Sequence, residues 1–254
     1  MTTRVRKKRA DVLLAEKGLV ESREQAQVMI MEGLVFAPSG RVLKASSSLP
    51  EDTSLEVRGR LPYVSRGGLK LAGALDEFSL AVEGMTGLDV GASTGGFTDC
   101  LLQRGATHVF AVDVGHGQLH LRLRQDARVT VMEKVNARHP YDLPRPVDLV
   151  VVDVSFISLA LVLPPAITHL KEGGHIVALV KPQFEASRGE VGRGGIVKDP
   201  RVHASTLGKM VIWATEQRLR IRGLCPSPIL GDKGNREFFL LLQKPVQVSQ
   251  GSRV

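Results

Sequence analysis

From residue 86 onward the chain repeats one rhythm: a short Val-rich run, a helical segment, then another such run. "TGLDVGA", "HVFAVDV", "RVTVME", "VDLVVVDV" and "GHIVALVK" are of strand length and apolar on successive residues, which leaves no face for water. Helical patterns separate them near 96–104, 117–125, 158–170 and 201–218. Strands buried on both faces and alternating with helices form a parallel sheet covered on both sides. The rhythm therefore predicts a doubly wound, Rossmann-like α/β sheet. After the last helix, "IRGLCPSPIL" and "REFFLLLQ" follow without a helical signal between them. That ending predicts a hairpin with an antiparallel edge strand.

The first strand runs into "LDVGASTGGFTDCLL" (88–102), which supports two chemistries. Gly91 to Gly95 fit G-x-S-x-G, the nucleophile elbow of serine hydrolases, with Ser93 as nucleophile. That reading needs an acid and then a histidine downstream. Asp153 with His169, His175 or His203 supplies the types, but none of these histidines falls at a convincing strand end. Counted from Asp89, the same residues form a glycine loop between strand and helix. Glycines there let the chain turn sharply and present backbone N–H groups to a ligand at a helix N-terminus. An acid about 20 residues on, at the end of the next strand, would hold a ribose diol. Asp113 is in that place. The spacing is not G-x-G-x-x-G, so a nicotinamide dinucleotide fits poorly. The D-x-G-x-[GS]-x-G form resembles that of S-adenosylmethionine-dependent methyltransferases, which makes Asp89, Gly91, Ser93, Gly95, Gly96, Phe97 and Asp113 the expected cofactor-binding residues. After the fourth strand the chain has "DVSF" (153–156), without the prolines that orient an exocyclic amine in base methyltransferases. The acceptor is expected to be something other than a base amino group.

Ahead of this domain lies a smaller pattern. "ADVLLAEKG" reads as a short helix stopped at Gly18. "SREQAQVMIMEG" reads as a second, with Ser22 and Gln25 as a capping box and Ala26, Met29 and Ile30 as its buried stripe. A hairpin around Pro38-Ser39-Gly40 and a short strand in "TSLEVRG" follow. Gly59, Pro62 and a glycine pair in "VRGRLPYVSRGG" mark a hinge. The expected division is a small α+β domain over 1–59, a linker over 60–66 and the α/β domain over 67–254.

Charge constrains the partner. The chain carries a formal net charge of +8 and a pI near 9.8, which favours a polyanion such as nucleic acid. Arg4, Arg6, Lys7, Lys8 and Arg9 cluster at the start. Aromatics are only 4% of residues, too few for a protein that grips single strands mainly by stacking. No apolar run approaches the roughly 20 residues of a membrane span, and charges interrupt any signal-like segment. The expected location is cytoplasmic, with no membrane and no metal. Two cysteines are too few for a disulfide framework or a closed zinc site.

Residues 1–59 resemble the S-four-type RNA-binding domain, through Arg9 before "ADVLL", "SREQAQVMI" and the small hairpin. That resemblance implies RNA contacts from Arg6, Lys7, Arg9 and Arg23. Over nearly the whole chain, "SRGGLKL", "GASTGGF", "VVDVSFISL", "VKPQFE" and "GNREFFL" are similar, in order, to the TlyA family, often labelled haemolysin A. Members are RNA 2′-O-methyltransferases with an FtsJ-like catalytic domain. The resemblance implies a Lys-Asp-Lys-Glu tetrad at Lys70, Asp153, Lys181 and Glu237, and a cytidine of large-subunit, and in some members small-subunit, ribosomal RNA as acceptor. The residue types suit the chemistry. A ribose hydroxyl is a weak nucleophile near neutral pH and needs alignment and help in losing its proton. Two neighbouring amines repel, which favours the free base of one, and carboxylates orient both. A glycine-rich basic loop, "RGEVGRGGI", is expected to be either a flexible connection or a lid placing Arg188 and Arg193 on phosphates. The competing function classes are a membrane-lytic haemolysin and a catalytically silent RNA-binding ribosome factor. Missing amphipathic surface helices speak against the first, and the intact tetrad against the second. The oligomeric state is not legible.

Overall fold

The computed structural model describes residues 6–31, 33–59, 62–231 and 234–246, without the side chains of Glu24, Val28 and Met31. Arg4 of the basic start and residues 60–61 of the expected linker lie outside them. The chain forms two compact units, Met1–Arg66 and Gly67–Val254. Among the described residues no helix is long and apolar enough to cross a membrane.

In the first unit, β1 (Lys7–Arg9), α1 (Ala10–Glu16), α2 (Arg23–Met31), β2 (Val35–Ala37), β3 (Gly40–Arg41), β4 (Ser48–Pro50) and β5 (Glu56–Val57) enclose a small core. That core contains Leu13, Leu14, Ala26, Met29, Ile30 and Val35. Gly18 stops the chain after α1 with φ of 67°. At the start of α2, Ser22 Oγ accepts from Gln25 N at 3.1 Å, and Gln25 Oε1 accepts from Glu21 N at 2.6 Å. The capping box thus reaches back one residue further than expected. β2 and β3 form the hairpin around Pro38-Ser39, and β5 pairs with the other edge of β2.

The basic start does more than carry charge. Lys7–Arg9 pair antiparallel with Ser48–Pro50, and Lys8 Nζ lies 2.7 Å from Glu16 and 3.4 Å from Glu51.

The second unit runs α3 (Arg66–Glu77), β6 (Thr86–Val90), α4 (Gly96–Gln103), β7 (His108–Val112), α5 (Leu121–Arg124), β8 (Val129–Met132), β9 (Val147–Val152), α6 (Leu159–Thr168), β10 (Leu170–Val180), α7 (Pro182–Glu185), a 3-10 turn (Arg188–Glu190), α8 (Pro200–Glu216), β11 (Arg220–Pro226) and β12 (Phe238–Gln243). Its seven-stranded sheet has the order β11-β12-β10-β9-β6-β7-β8. The five expected strands pair in parallel. β12 pairs antiparallel with both β10 and β11, so the reversed strand of the closing hairpin lies second from the edge. The helix expected near 117–125 is one turn, 121–124, because Gly115 and Gly117 occupy the residues before it. Helix α3 was not expected at all. Its apolar face (Leu71, Ala74, Leu75) is buried behind an opening "RGG" that reads as a turn.

Candidate active site

β6 lies between β7 and β9, so the strand order reverses at its carboxyl end. Open α/β sheets bind ligands at such a switch point. A cavity of about 470 Å³ opens there, lined by Gly91 and Ser93 after β6, Asp113 after β7, Asn136 and Arg138 after β8, and Asp153 and Phe156 after β9.

Backbone donors hold Asp113 in place. Its Oδ2 accepts from Ser93 N at 2.8 Å and its Oδ1 from Gly115 N at 2.7 Å. Each carboxylate oxygen can accept a further bond from the cavity side. Ser93 takes a φ of 48°, uncommon for a residue with a side chain. Gly91, at φ of 85°, packs so closely on β9 that a Cβ would sit 2.5 Å from the Asp153 carbonyl.

Other residues expected to touch a cofactor are placed differently. A Cβ on Gly95 (φ 96°) would run into Leu123 Cδ1 and lie 2.8 Å from Leu119 Cδ1, so this glycine serves packing. Gly96 begins α4 and is buried. Phe97 is also buried, its ring centroid 6.1 Å from that of Phe239, so the ring packs in the core and is not part of the cavity lining. Asp89 is fully buried, and its Oδ2 accepts from Thr98 N at 2.9 Å and Thr98 Oγ1 at 2.7 Å. It ties the end of β6 to the first turn of α4. Its Oδ1 has no hydrogen-bond partner within the protein. Burial raises its pKa to about 7, with the Asp153 and Asp113 charges adding and the Thr98 bonds opposing.

The four residues expected to form the tetrad make two ion pairs, and one of them, Asp153, lines the cavity. Lys181 Nζ lies 2.5 Å from Asp153 Oδ1 and donates to Ser155 Oγ at 3.0 Å. Lys70 Nζ, from α3, lies 2.7 Å from Glu237 Oε2. The β10–β12 ladder ends on Val180 opposite Phe238, so Lys181 and Glu237 are the next residues past it on facing strands. Gln183 Nε2 also reaches Glu237 Oε1 at 3.4 Å. Pro182 ends β10 by occupying the first position of α7, which leaves Lys181 as the cap between strand and helix. Each amine faces its own carboxylate, as expected of residues that orient the amines and balance their charge.

Three features were missed in the sequence, although their residues lie inside quoted motifs. Glu185 accepts from Ser158 Oγ at 2.6 Å and from Leu159 N at 2.7 Å, joining the loop after β10 to the start of α6. Phe156, 89% exposed with φ of 65°, pairs with Phe184 at a centroid distance of 4.9 Å. Asn235 bonds Val197 N and the Gly195 carbonyl at 2.9 and 2.8 Å, closing one end of the glycine-rich loop that exposes Arg188 and Arg193. No spacing rule points to any of the three.

In the first unit, Arg6 and Lys7 are exposed. Arg9 and Arg23 converge on fully buried Asp11: Arg9 Nε and Nη2 each lie 2.9 Å from its oxygens, and Arg23 Nη2 lies 3.5 Å away. Gln27 Nε2 adds a bond of 2.9 Å. The Arg9 guanidinium, chiefly, holds the Asp11 carboxyl well below the usual carboxylate range.

A family described as FtsJ-like methyltransferase matches residues 63–244. TlyA of Mycobacterium tuberculosis, a 16S/23S rRNA (cytidine-2′-O)-methyltransferase, is 46% identical over 242 residues, 94% of this chain and 90% of that one. Hemolysin A of Brachyspira hyodysenteriae is 39% identical, over 91% of this chain and 97% of its own. A solved structure titled as a candidate hemolysin of Streptococcus thermophilus is 46% identical with a TM-score of 0.74, covering 95% of this chain and 90% of that one. This chain belongs to the TlyA family of FtsJ-like methyltransferases.

Proposed function

We propose that the protein transfers a methyl group from S-adenosylmethionine to the ribose 2′-OH of a cytidine in ribosomal RNA. The observation that carries this reading is the double position of Asp153. It lines the cavity at the switch point and pairs with Lys181, so cofactor pocket and tetrad share a wall.

The residues present fit the cofactor. Asp113 stands at the end of the second strand, where it can hold a ribose diol, and Asp113 and Asp153 give the pocket lining the carboxylates a cationic ligand needs. When bound, S-adenosylmethionine supplies an electrophilic methyl group on a positively charged sulfur. The protein's part is positioning and proton handling. Once its own proton has passed to solvent, the Lys181 amine takes the hydroxyl proton, while Asp153 and Ser155 hold it at the reacting face. Glu237 holds the Lys70 amine in place. Arg6, Lys7, Arg9 and Arg23, in an S-four-type module over 1–59, dock the enzyme on structured RNA, and Arg188 and Arg193 contact phosphates near the target. The enzyme acts in the cytoplasm on ribosomal subunits or their RNA.

Single-turnover methyl transfer to ribosomal RNA, with the modified position mapped, tests the reading. Lys181→Ala should bind cofactor and RNA within a few-fold of the unaltered protein, yet lose roughly 10²–10⁴-fold in rate, the usual worth of a positioned acid–base group. Lys181→Arg should stay inactive, because a guanidinium does not give up its proton. Full activity in Lys181→Arg removes the base role. Full activity in Lys181→Ala removes the mechanism.

A further inference from the structure

Before Tyr63 the chain has one aromatic residue, Phe36, and it takes no part in the core of the first unit. Along β2, Val35 points inward and is fully buried. Phe36 therefore points to the opposite face. It lies across from Arg41 on β3 and from Glu56 on β5, and directly opposed residues share a face. The Arg58 guanidinium stands over the ring, 4.3 Å from its centroid. Arg58 Nε and Nη2 both donate to Glu56 Oε2, at 3.0 and 2.8 Å, which holds the guanidinium in place. Beside this stack is a cavity of about 430 Å³, lined by Phe36, Pro38, Ser54, Glu56 and Arg58 among others.

A lone cation–π contact at an exposed site contributes too little to explain an aromatic kept out of so small a core. The arrangement has the parts of a base-stacking platform instead. Unpaired bases stack on aromatic rings and on guanidinium planes, and are read through their edges. A phosphate would meet the Glu56 carboxylate and be repelled. A carboxylate at a base edge accepts from an exocyclic amine.

We infer that the outer face of β2, built from Phe36, Arg58 and Glu56, binds an unpaired amine-bearing nucleobase of the RNA. The base stacks on the Phe36–Arg58 pair, in contact with both the ring and the guanidinium, and its amine donates to Glu56. This rests on the RNA substrate proposed above, and it assigns a second, stacking contact to a module whose other expected contacts are to phosphate.

Binding of the full chain to single-stranded oligo(C) and oligo(U) RNA over a salt series tests it. Phe36→Leu should weaken oligo(C) binding at least about fivefold, the low end of what a stacked base is worth, with the salt slope unchanged. Glu56→Gln should weaken oligo(C) more than oligo(U). Ultraviolet cross-linking of oligo(C) to the unaltered chain should mark the peptide that contains Phe36. Unchanged oligo(C) affinity in Phe36→Leu, stronger binding of both oligomers by Glu56→Gln, or cross-links only elsewhere would each overturn the platform. So would a Phe36→Leu protein that keeps its RNA affinity and loses affinity for RNA-free ribosomal proteins, since the face would then be a protein contact. Methyl transfer by the unaltered chain, measured alongside, separates the two readings. Transfer with an unaffected Phe36→Leu removes the platform alone, and no transfer removes the proposed reaction.

Discussion

Lys70 and Glu237 stand 167 residues apart in the chain and 2.7 Å apart in the fold, both almost fully buried. Removing one partner of such a pair strands a charge, which typically costs about 3–5 kcal/mol, whereas replacing both with apolar residues is often neutral. Glu237→Ala should therefore lower stability by roughly that amount. Lys70→Met combined with Glu237→Met should recover most of the stability and none of the activity. Urea unfolding and single-turnover methyl transfer, read on the same three proteins, check this. A double variant that regains activity would make the pair purely structural.

Asp89 sets a pH dependence with a definite sign. The folded protein holds its proton up to about pH 7, while the unfolded chain releases it near the usual 3.8. Between those values the folded state binds more protons, so this residue's contribution falls as pH rises and levels off above about pH 7. Asp89→Asn, which mimics the protonated form, should gain on the unaltered protein by an amount that grows from about pH 5 to about pH 8 and reaches a few kcal/mol at most. Urea midpoints across that range decide it. A pH-independent difference would place the Asp89 charge in a better-solvated setting than its burial implies.

Much of this was legible from pattern alone. Five parallel strands and the loop at the switch point follow from runs of Val, Leu and Ile broken by glycine, because strands buried on both faces have no other composition open to them. What stayed hidden depends on residues distant in sequence. β1 is Lys-Lys-Arg, with no apolar alternation, and exists because Ser48–Pro50 pair with it. Helix α3 contains Gly67, Gly68 and Gly73, poor helix formers, and Gly73 is needed because a Cβ there would meet Pro228 at 2.8 Å. The tetrad could be identified by type, but which amine meets which carboxylate depends on strand register. Glycines 91 and 95 were expected for ligand access, yet their missing side chains leave room for β9 and for two leucines.

Gly95 then makes a prediction about stability. At φ of 96°, any side chain strains the backbone, and a Cβ would overlap Leu123. Gly95→Ala should cost at least about 1–2 kcal/mol for the left-handed backbone alone. Adding Leu123→Ala should relieve the overlap but not the strain. Cofactor affinity at a temperature where all variants are folded should fall less than stability does. Lost affinity in a fully stable Gly95→Ala would return this glycine to the pocket.

Asp11 is buried beneath Arg9 and Arg23, which are each about half exposed. With its carboxyl held ionised by Arg9, it fixes two guanidiniums on the surface. Asp11→Asn should keep the Gln27 contact and release the arginines. RNA binding should weaken several-fold, and the salt slope should shift by up to one or two phosphate contacts. Filter binding over a salt series measures both. An unchanged slope would mean that Arg9 and Arg23 serve the fold and not the RNA.

Glu185 spans the two loops that carry the residues proposed to act on the ribose hydroxyl. Asp153, Ser155 and Phe156 lie on one, and Lys181 and Phe184 on the other. Its carboxylate takes two donors, Ser158 Oγ–H and Leu159 N–H. An amide cannot do this, because a glutamine side chain at this position would offer one acceptor and turn an N–H₂ group toward the other donor. Glu185→Gln should therefore loosen the join while preserving shape. Hydrogen bonds to a charged group contribute about 1.5–3 kcal/mol, so losing one should slow methyl transfer by roughly 10- to 100-fold if the loops must be aligned for reaction. Cofactor and RNA affinity should change little, since Glu185 lines neither the cavity nor the basic surface. A drop in the chemical rate with binding intact marks Glu185 as a positioning residue. A parallel loss of stability and binding, with the rate per bound complex unchanged, would reduce it to a helix cap for α6.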